Sequence, residues 1–273
     1  MSKRIEPQAT EALTAPITPR SYDSIPSDLI YGLDVCGPES IGKTHFALTH
    51  PGDISFVDTE QKAETVIPKF LSKKKINWKS CENWDDVVWT VNDALKNPSV
   101  KTIIFDTGAD LQSMAAEKWC SENGKKSVYP ITQFQHVYSK IDDLSGRIKK
   151  ARKYLISTSR MKDEWIGDAS TGRKIRDGYK RFTWDLHLAI ELRYGIPDTN
   201  NKIWFPERRF ARVTKNNFWG VDDNGMQFGK PYLFNVSHDG VKKELLNPWG
   251  DGVPVKDQMS KIVDEAKALY GPK

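Results

Sequence analysis

Short apolar runs alternate with amphipathic stretches along the first 193 residues of the chain. The runs end at glycine, acidic or small polar residues, which is typical of buried strands, and the stretches between them repeat apolar residues at helical spacing. The predicted strands cover residues 29–36, 53–59, 101–106 and 154–158, and the predicted helices cover 43–48, 84–95 and 133–153. This alternation predicts an α/β fold with a mainly parallel sheet flanked by helices.

The rest of the chain follows different patterns. Residues 161–181 are polar, contain glycine and are rich in lysine and arginine, which predicts a long loop. Residues 184–193 alternate leucine and isoleucine with polar residues, which predicts a strand with one solvent-exposed face. Between 194 and 241, Asn-Asn, Asp-Asn-Gly and His-Asp-Gly sequences predict turns that join short strands. A final amphipathic helix is predicted over 255–270.

The chain divides into three predicted parts. Residues 1–28 combine several prolines with polar residues and have too few apolar side chains to bury, which predicts a flexible arm. Residues 29–220 form the predicted α/β core. Residues 221–273 form a small β-rich extension that ends in the C-terminal helix.

One motif joins the first predicted strand to the first predicted helix. It reads Gly37-Pro38-Glu39-Ser40-Ile41-Gly42-Lys43-Thr44 and is followed by His45. It fits the phosphate-loop pattern G-x-x-x-x-G-K-[ST], in which glycines let backbone N–H groups turn inward around phosphate oxygens. In such loops the lysine reaches the β- and γ-phosphates and the hydroxyl ligates Mg²⁺, which are the roles predicted for Lys43 and Thr44. The motif predicts that residues 37–45 bind ATP with Mg²⁺.

Two carboxylates follow predicted strands at the places that such a site requires. Asp106 closes the strand over 101–106, where a carboxylate can hold Mg²⁺. Glu60 follows the strand over 53–59, where it can orient the attacking water as a general base. For Glu60, spacing alone fits a solvated loop acid equally well.

Composition narrows the class of protein. The 273 residues include 41 Lys and Arg against 36 Asp and Glu, and a net charge of +5 permits a polyanionic partner without requiring one. No apolar run is long enough for a membrane span, and residues 1–20 do not resemble a secretory signal. Three widely spaced cysteines fit a reducing compartment and form no zinc pattern. We therefore expect a cytoplasmic protein with no membrane partner.

Six segments resemble, in the same order, the motifs of RecA/RadA-core ATPases. They are the phosphate loop with its Pro-Glu-Ser, residues 56–60, 102–107, 155–162, 184–193 and 212–216. The resemblance covers residues 29–220 and is nearest to phage-encoded RecA-like proteins, some of which anneal single strands. It implies an ATPase in which Glu60 is the catalytic glutamate and Lys43 acts with it. It also implies that Lys215 acts across a subunit interface on a neighbour's ATP, in a homo-oligomer that is a ring or a filament.

Three departures from the RecA pattern point to a simpler activity. Thr158 stands where RecA has the glutamine that senses the γ-phosphate. Asn217 replaces the second lysine of the interface pair, and residues 1–28 carry no Phe-x-x-Ala polymerisation motif. These departures weigh against ATP-switched strand exchange and leave DNA binding or annealing.

The basic segment after the fourth strand corresponds to the second DNA-binding loop of RecA. Its candidate DNA-binding residues are Arg160, Lys162, Trp165, Arg173, Lys174, Arg176, Lys180 and Arg181. Trp165 and Tyr179 are suited to stack on unpaired bases while the cations follow the phosphates, a combination that favours single strands. A solvated loop is the alternative reading of the same charges. Residues 123–129 occupy the place of the first DNA loop, and a plain helix connection explains them equally well.

Together these features predict a slow, DNA-linked ATPase that binds single-stranded DNA and promotes annealing in phage recombination. A single-strand DNA-binding protein is a further expected partner, and the host cytoplasm is the expected location. Two alternatives remain open at this point. One is a DNA motor, such as a helicase or packaging ATPase on the same core, and the other is a regulatory NTPase that acts on proteins.

Overall fold

Parallel strands form the centre of the fold in the computed structural model of the chain. The structure describes residues 29–179, 185–197, 200, 202–217, 231–245 and 259–271, so the arm predicted over 1–28 lies outside the described residues. The described strands are β1 Gly32–Cys36, β2 Asp53–Asp58, β3 Ile76–Ser80, β4 Val100–Asp106, β5 Tyr154–Ser159, β6 Met161–Ile166, β7 Ala169–Arg176, β8 Leu188–Pro197, β9 Ile203–Asn216 and β10 Tyr232–Leu233. The main sheet has the order β10-β9-β8-β1-β5-β4-β2-β3.

The strands from β8 to β3 in this order pair in parallel, which confirms the predicted fold class. Their carboxyl ends share one edge of the sheet. Cys36 pairs with Ser159 there, and Asp58 pairs with Asp106, so the strand ends that carry the predicted site lie side by side. The sequence did not predict the edge strand β3, because its side chains are only half-buried and show no clear alternation.

Helices cover both faces of the sheet, as the sequence predicts. The described helices include α1 Lys43–Ala47, α2 Trp84–Lys96, α3 Asp110–Glu122, α4 Phe134–Lys150 and α5 Met259–Tyr270. Phe46 of α1 packs with Ile104 and Ile156 on one face, whereas α2, α3 and α4 cover the other. The fourth helix ends at Lys150 rather than 153, and Arg152 there has a left-handed conformation with φ of 53°.

The C-terminal part continues the main sheet with antiparallel strands. β9 pairs with β8, and β10 pairs with β9. The prediction of short strands is wrong for β9, which runs for 14 residues; register shifts in its pairing with β8 break the alternation of its side chains. His238–Gly240, predicted as a turn that joins short strands, forms a helical turn that continues into Val241–Leu245. The final helix is described from Met259, and residues 255–258 of the predicted helix lie outside the described residues.

The basic segment forms a hairpin, so the predicted long loop is wrong. β6 and β7 pair in antiparallel register and turn at Gly167, which has φ of 61°. Most side chains of the β6–β7 hairpin are exposed or half-buried. A ribbon that is exposed on both faces has no apolar face, which is why the sequence lacked a strand pattern there. Among the described helices, none is long and apolar enough to cross a bilayer.

Candidate nucleotide-binding site

The phosphate loop, residues 37–44, leads from β1 into α1 at the carboxyl edge of the sheet. Gly37 and Gly42 have φ values of 154° and 97°, which residues other than glycine rarely adopt. A Cβ atom at Gly37 would lie 2.8 Å from the carbonyl oxygen of Leu192 on β8. Glycine is therefore required where the loop passes the neighbouring strand.

Lys43 lies along the inner side of the loop. Its Nζ donates hydrogen bonds to the carbonyl oxygens of Gly37, at 3.0 Å, and Pro38, at 2.8 Å. Burial lowers the pKa of Lys43, and the nearby carboxylates of Asp106 and Glu60 oppose that shift. The ammonium group is thus held between the loop carbonyls and the acidic side of the cavity, where a phosphate would add a compensating negative charge.

Asp106 connects the loop to the end of β4. Its Oδ2 accepts a hydrogen bond of 2.8 Å from Thr44 Oγ1, and its Oδ1 accepts one from Thr158 Oγ1 on β5. Burial raises the pKa of Asp106, and the hydrogen bonds from the two threonines oppose that rise. A hydroxyl and a carboxylate oxygen at this distance fit the hard-oxygen preference of Mg²⁺, so Thr44 and Asp106 could hold it together with phosphate oxygens. The described residues contain no cluster of three or more His, Cys, Asp or Glu side chains arranged for a metal ion.

Glu60 lies at the same edge and is paired with an arginine. Its Oε1 is 2.6 Å from Nε of Arg160, and Nη2 of Arg160 is 3.3 Å from Asp110 Oδ2. The hydrogen bond from Arg160 to Glu60 raises the pKa of the guanidinium. Glu60 is 17% exposed and lies in the cavity wall, so its environment differs from that of a solvated loop acid.

These side chains enclose a cavity of about 390 Å³. The predicted residues that line it are Glu39, Ser40, Gly42, Lys43, Thr44, His45, Glu60, Asp106 and Arg160. The side chain of Ile41 is buried in the core, so this residue can offer only its backbone. Gly37 and Pro38 contribute the carbonyl groups that hold Lys43.

Two lysines of the β6–β7 hairpin form ion pairs with nearby carboxylates. Lys162 Nζ is 2.7 Å from Asp177, and Lys174 Nζ is 2.7 Å from Asp163. Trp165 is 60% exposed, and Arg173 has no carboxylate partner within the described part of the chain. Lys180 and Arg181, the remaining predicted DNA contacts, lie outside the described residues.

Two residues expected at the DNA surface are structural instead. The guanidinium of Arg176 pairs with Asp34 in the middle of β1, and Asp34 is 1% exposed. Tyr179 is buried, donates a hydrogen bond of 2.6 Å to Asp142 and packs on Tyr138. Arg176 therefore serves the fold, and Tyr179 has no free face for a base, which corrects both expectations.

Lys215 lies away from the phosphate loop of its own chain. It pairs in register with Ala189 near the amino end of β8, and its Nζ donates to the carbonyl oxygen of Leu186 at 2.8 Å. Burial lowers the pKa of Lys215. A role for this lysine on a neighbouring subunit's ATP remains a prediction.

Sequence reasoning missed Arg209, which contacts the phosphate loop from β9. Its Nη1 donates to the carbonyl oxygen of Ile41 at 3.2 Å. No local signal marks this residue, because its position depends on how β8 and β9 cross the end of the loop. The sequence also carries no sign of the hydrogen bond from Thr158 to Asp106, although Thr158 stands at the position of the RecA sensor glutamine.

Comparison with known proteins supports the nucleotide-binding assignment. The family model AAA_24, described as an AAA domain, matches residues 33–203, which include the phosphate loop, Glu60, Asp106 and the hairpin. No curated protein matches the chain. Because the match covers more than half of the chain and coincides with this cavity, the chain belongs to the AAA domain family of P-loop ATPases.

Proposed function

We propose that the protein slowly hydrolyses ATP with Mg²⁺, binds single-stranded DNA through the β6–β7 hairpin and promotes annealing of complementary strands in phage homologous recombination. The observation that carries this proposal is the ion pair between Arg160 and Glu60. It joins the residue at the start of the hairpin to the expected catalytic carboxylate of the phosphate cavity.

The ion pair suggests how DNA would control hydrolysis. A general base needs a carboxylate that is free to accept a proton from water, and Arg160 engages that of Glu60. DNA phosphates compete for the same guanidinium, because arginine binds phosphate and carboxylate in similar ways. Binding of DNA at the hairpin would draw Arg160 away and release Glu60 toward the water. This account fits an ATPase that is slow without DNA.

The hairpin offers the chemistry that unpaired bases require. Trp165 is 60% exposed, and Ile166 beside it is 72% exposed, so the tip carries a large apolar surface. Lys162, Arg173 and Lys174 lie along the two strands behind it. An aromatic face at the tip and cations along the sides would stack on a base and follow the backbone of a single strand.

Assembly into a RecA-like oligomer belongs to the same proposal. Lys215 would act on the ATP of a neighbouring subunit in a ring or filament. A single-strand DNA-binding protein would be a further partner during annealing.

The central test measures DNA binding and annealing together. Fluorescence anisotropy would follow a labelled single strand and the matching duplex, with and without a slowly hydrolysed ATP analogue, and annealing of complementary strands would be timed. We expect tighter binding of the single strand and faster annealing with the protein. Absence of single-strand binding at low salt would refute the DNA part of the proposal and leave ATP binding standing.

A single substitution tests whether the Arg160–Glu60 pair couples DNA binding to ATP hydrolysis. Arg160→Ala should raise ATP turnover in the absence of DNA and remove most of the stimulation by DNA, because Glu60 then keeps only its longer ion pair with the exposed Lys62, at 3.6 Å, in both conditions. Lys162→Ala is the matched control, since its partner Asp177 lies outside the phosphate cavity. If Arg160→Ala keeps the wild-type stimulation by DNA, the ion pair does not couple the two regions.

A regulatory NTPase that acts on a protein is the second candidate. The observation that favours it is the exposed tip of Trp165 and Ile166, because two of the cations behind the tip, Lys162 and Lys174, are already paired with carboxylates. Under this alternative, binding at the hairpin would depend little on salt, whereas single-strand DNA binding weakens steeply as salt rises. Fast DNA-stimulated turnover with directional unwinding would instead identify a motor.

A further inference from the structure

A small cavity opens at the amino edge of the main sheet, at the opposite ends of the strands from the phosphate loop. Its volume is about 140 Å³, and its walls include the side chains of Lys149, Arg152, Lys153 and His187. These residues come from the end of α4 and from the positions just before β5 and β8. Sites for drug-sized molecules begin near about 300 Å³, so this cavity has room for one small group.

Arg152 has an unusual backbone conformation for its residue type. It follows the last turn of α4 with φ of 53°, and the N–H group of Lys153 donates to the carbonyl oxygen of Ile148 at 3.4 Å. Many helices end in this way, and glycine is the usual residue at the left-handed position because it has no Cβ atom. An arginine there costs stability, so the fold alone does not account for it. Strained residues of this kind cluster at ligand-binding sites.

Two lysines of this edge are held by carbonyl groups. Lys149 Nζ donates to the carbonyl oxygen of Asp185 at 2.8 Å, and Lys153 Nζ donates to that of Asn97 at 2.9 Å. Carbonyl groups fix an ammonium group in place and carry no net charge. Among the residues that the structure describes, no carboxylate lies at ion-pair distance from either lysine.

The pKa shifts at this edge have the sign that an excess of positive charge produces. Burial lowers the pKa of His187, and the charges of Lys149 and Lys215 lower it further. Burial likewise lowers the pKa of Lys153, and Lys101 on β4 adds to that shift. At the phosphate loop, by contrast, carboxylates oppose the corresponding shift. A phosphate group would supply negative charge to this edge.

The extent of this edge favours a polymer of phosphates. From Lys101 to His187 it crosses β4, β5, β1 and β8, which lie about 4.8 Å apart. The resulting length of about 14 Å corresponds to about four phosphates of one DNA strand. The described aromatic residues at this edge, Tyr31 and Tyr154, are 1% and 7% exposed and offer no face to an unpaired base. Contacts to phosphates alone suit duplex DNA, in which the bases are stacked inside.

We propose that this amino-edge site binds the backbone of duplex DNA, with one phosphate seated between Lys149 and Arg152. The inference goes beyond the proposed function and does not rest on ATP binding or on the hairpin. Duplex is the product of annealing, so the chain would hold a single strand at the hairpin and the paired product at the other edge of the sheet.

Arg152→Gly separates a binding role from a structural one. Glycine suits the left-handed conformation, so the urea midpoint should stay at or above that of the wild type. Fluorescence anisotropy without nucleotide would compare a labelled duplex and a single strand of the same length over a range of salt. We expect about fivefold weaker duplex binding and a log–log salt slope smaller by about 0.9, for loss of one phosphate contact. Single-strand affinity should change less than about twofold, because the hairpin dominates it.

Two further variants control for charge. Arg152→Lys keeps the positive charge and should bind duplex within about twofold of the wild type. Lys140→Ala removes one positive charge from the same helix, where Lys140 pairs with Glu122 at 2.8 Å, and should leave duplex affinity unchanged. Wild-type duplex affinity and salt slope in Arg152→Gly would overturn the inference, as would an equal loss in Lys140→Ala.

Inorganic phosphate distinguishes a backbone site from a site for the free ion. Isothermal titration would compare the wild type with Arg152→Gly, since binding at the phosphate loop is common to both. We expect the same phosphate affinity in the two proteins. Loss of phosphate binding in Arg152→Gly with unchanged duplex affinity would assign the cavity to a free anion and overturn the inference. Absence of single-strand binding with duplex binding intact would refute the DNA part of the proposed function and leave this inference standing.

Discussion

The phosphate cavity and the β6–β7 hairpin are neighbours that are held in place in opposite ways. The cavity is built from the ends of β1, β2, β4 and β5, and its key carboxylate, Asp106, is fixed by hydrogen bonds from two threonines. The hairpin is largely exposed, and side-chain contacts with the sheet stabilise its base through Arg160 and Arg176. A pocket for phosphates requires this rigidity, whereas a surface that reaches a partner requires exposure. The two arginines let one chain meet both requirements.

The two arginines themselves differ in burial. Asp34, the partner of Arg176, is 1% exposed, and it also accepts a hydrogen bond of 3.1 Å from Ser159. Arg160 is 40% exposed, and its carboxylate partners line or flank the open cavity. One end of the hairpin is therefore fixed in the core, and the other is accessible to ligands.

The strongest test of this contrast is Arg176→Ala. The substitution leaves the buried carboxylate of Asp34 without its main compensating charge, and we expect a loss of about 3–5 kcal/mol in the free energy of unfolding. Urea denaturation would measure it. Arg173→Ala on the exposed part of the same strand should change stability by less than about 0.5 kcal/mol. Equal effects of the two substitutions would show that the base of the hairpin is not fixed by this pair.

Lys43→Ala should affect the cavity and leave the hairpin unchanged. Loss of the half-buried ammonium should weaken ATP binding roughly 100-fold, since charged hydrogen bonds are among the strongest contacts in such sites. Titration calorimetry would measure the nucleotide, and anisotropy without nucleotide would measure the DNA. Lys118→Ala, on the surface of α3, is the control. A parallel loss of nucleotide-free DNA binding in Lys43→Ala would mean that the two regions are not separable.

Acid should destabilise the opposite edge of the sheet, at the amino ends of β1 and β2, through two buried histidines. Burial lowers the pKa of His50 to about 3 and that of His238 to about 4, and both bond to the hydroxyl of Tyr31 beneath α1. The unfolded chain takes up protons below pH 6.5 that the folded chain does not, so stability is full above that pH and falls as pH decreases toward 4. We expect a loss of about 2.5 kcal/mol between pH 7 and 5.5, shared almost equally by the two histidines, because both folded pKa values lie well below 5.5.

Urea denaturation at the two pH values would measure this loss. His238→Gln should reduce the pH dependence and leave that from His50. A free energy of unfolding that stays constant over the same range would contradict the assignment of neutral, buried imidazoles.

The smallest effect concerns the hairpin tip. Trp165→Ala should weaken single-strand binding about tenfold through loss of one stacked base, with no change in ATP affinity. Trp89→Ala provides a matched control, because Trp89 on α2 is 59% exposed against 60% for Trp165. If both tryptophan variants bind DNA alike, the tip of the hairpin is not the surface that contacts DNA.

Most of the parallel core could be predicted from the sequence, because each strand there is a short apolar run bounded by a clear turn. The phosphate loop could be predicted equally well, because its four defining residues, Gly37, Gly42, Lys43 and Thr44, lie within eight consecutive positions. The edge strand β3 and the hairpin were missed for one reason: strands with little burial carry no apolar period.

Contacts between distant parts of the chain could not be predicted. Arg209 meets a loop that lies 168 positions away from it in sequence, and Arg176 pairs across 142 positions with Asp34 in the middle of β1. Both contacts arise from strand order, which local patterns do not encode. The eight candidate DNA-binding residues therefore include two arginines, Arg160 and Arg176, that carboxylates outside the segment engage.

The pairing of Arg176 with Asp34 also has a mechanical consequence. It pins the end of β7 to the strand that carries the phosphate loop, while the start of β6 is held at the rim of the cavity by Arg160. A ribbon of eight residues extends about 26 Å from that pin. If the hairpin rotates about the Arg176–Asp34 pair, Trp165 at its far end moves several times further than Arg160, which lies close to that pair.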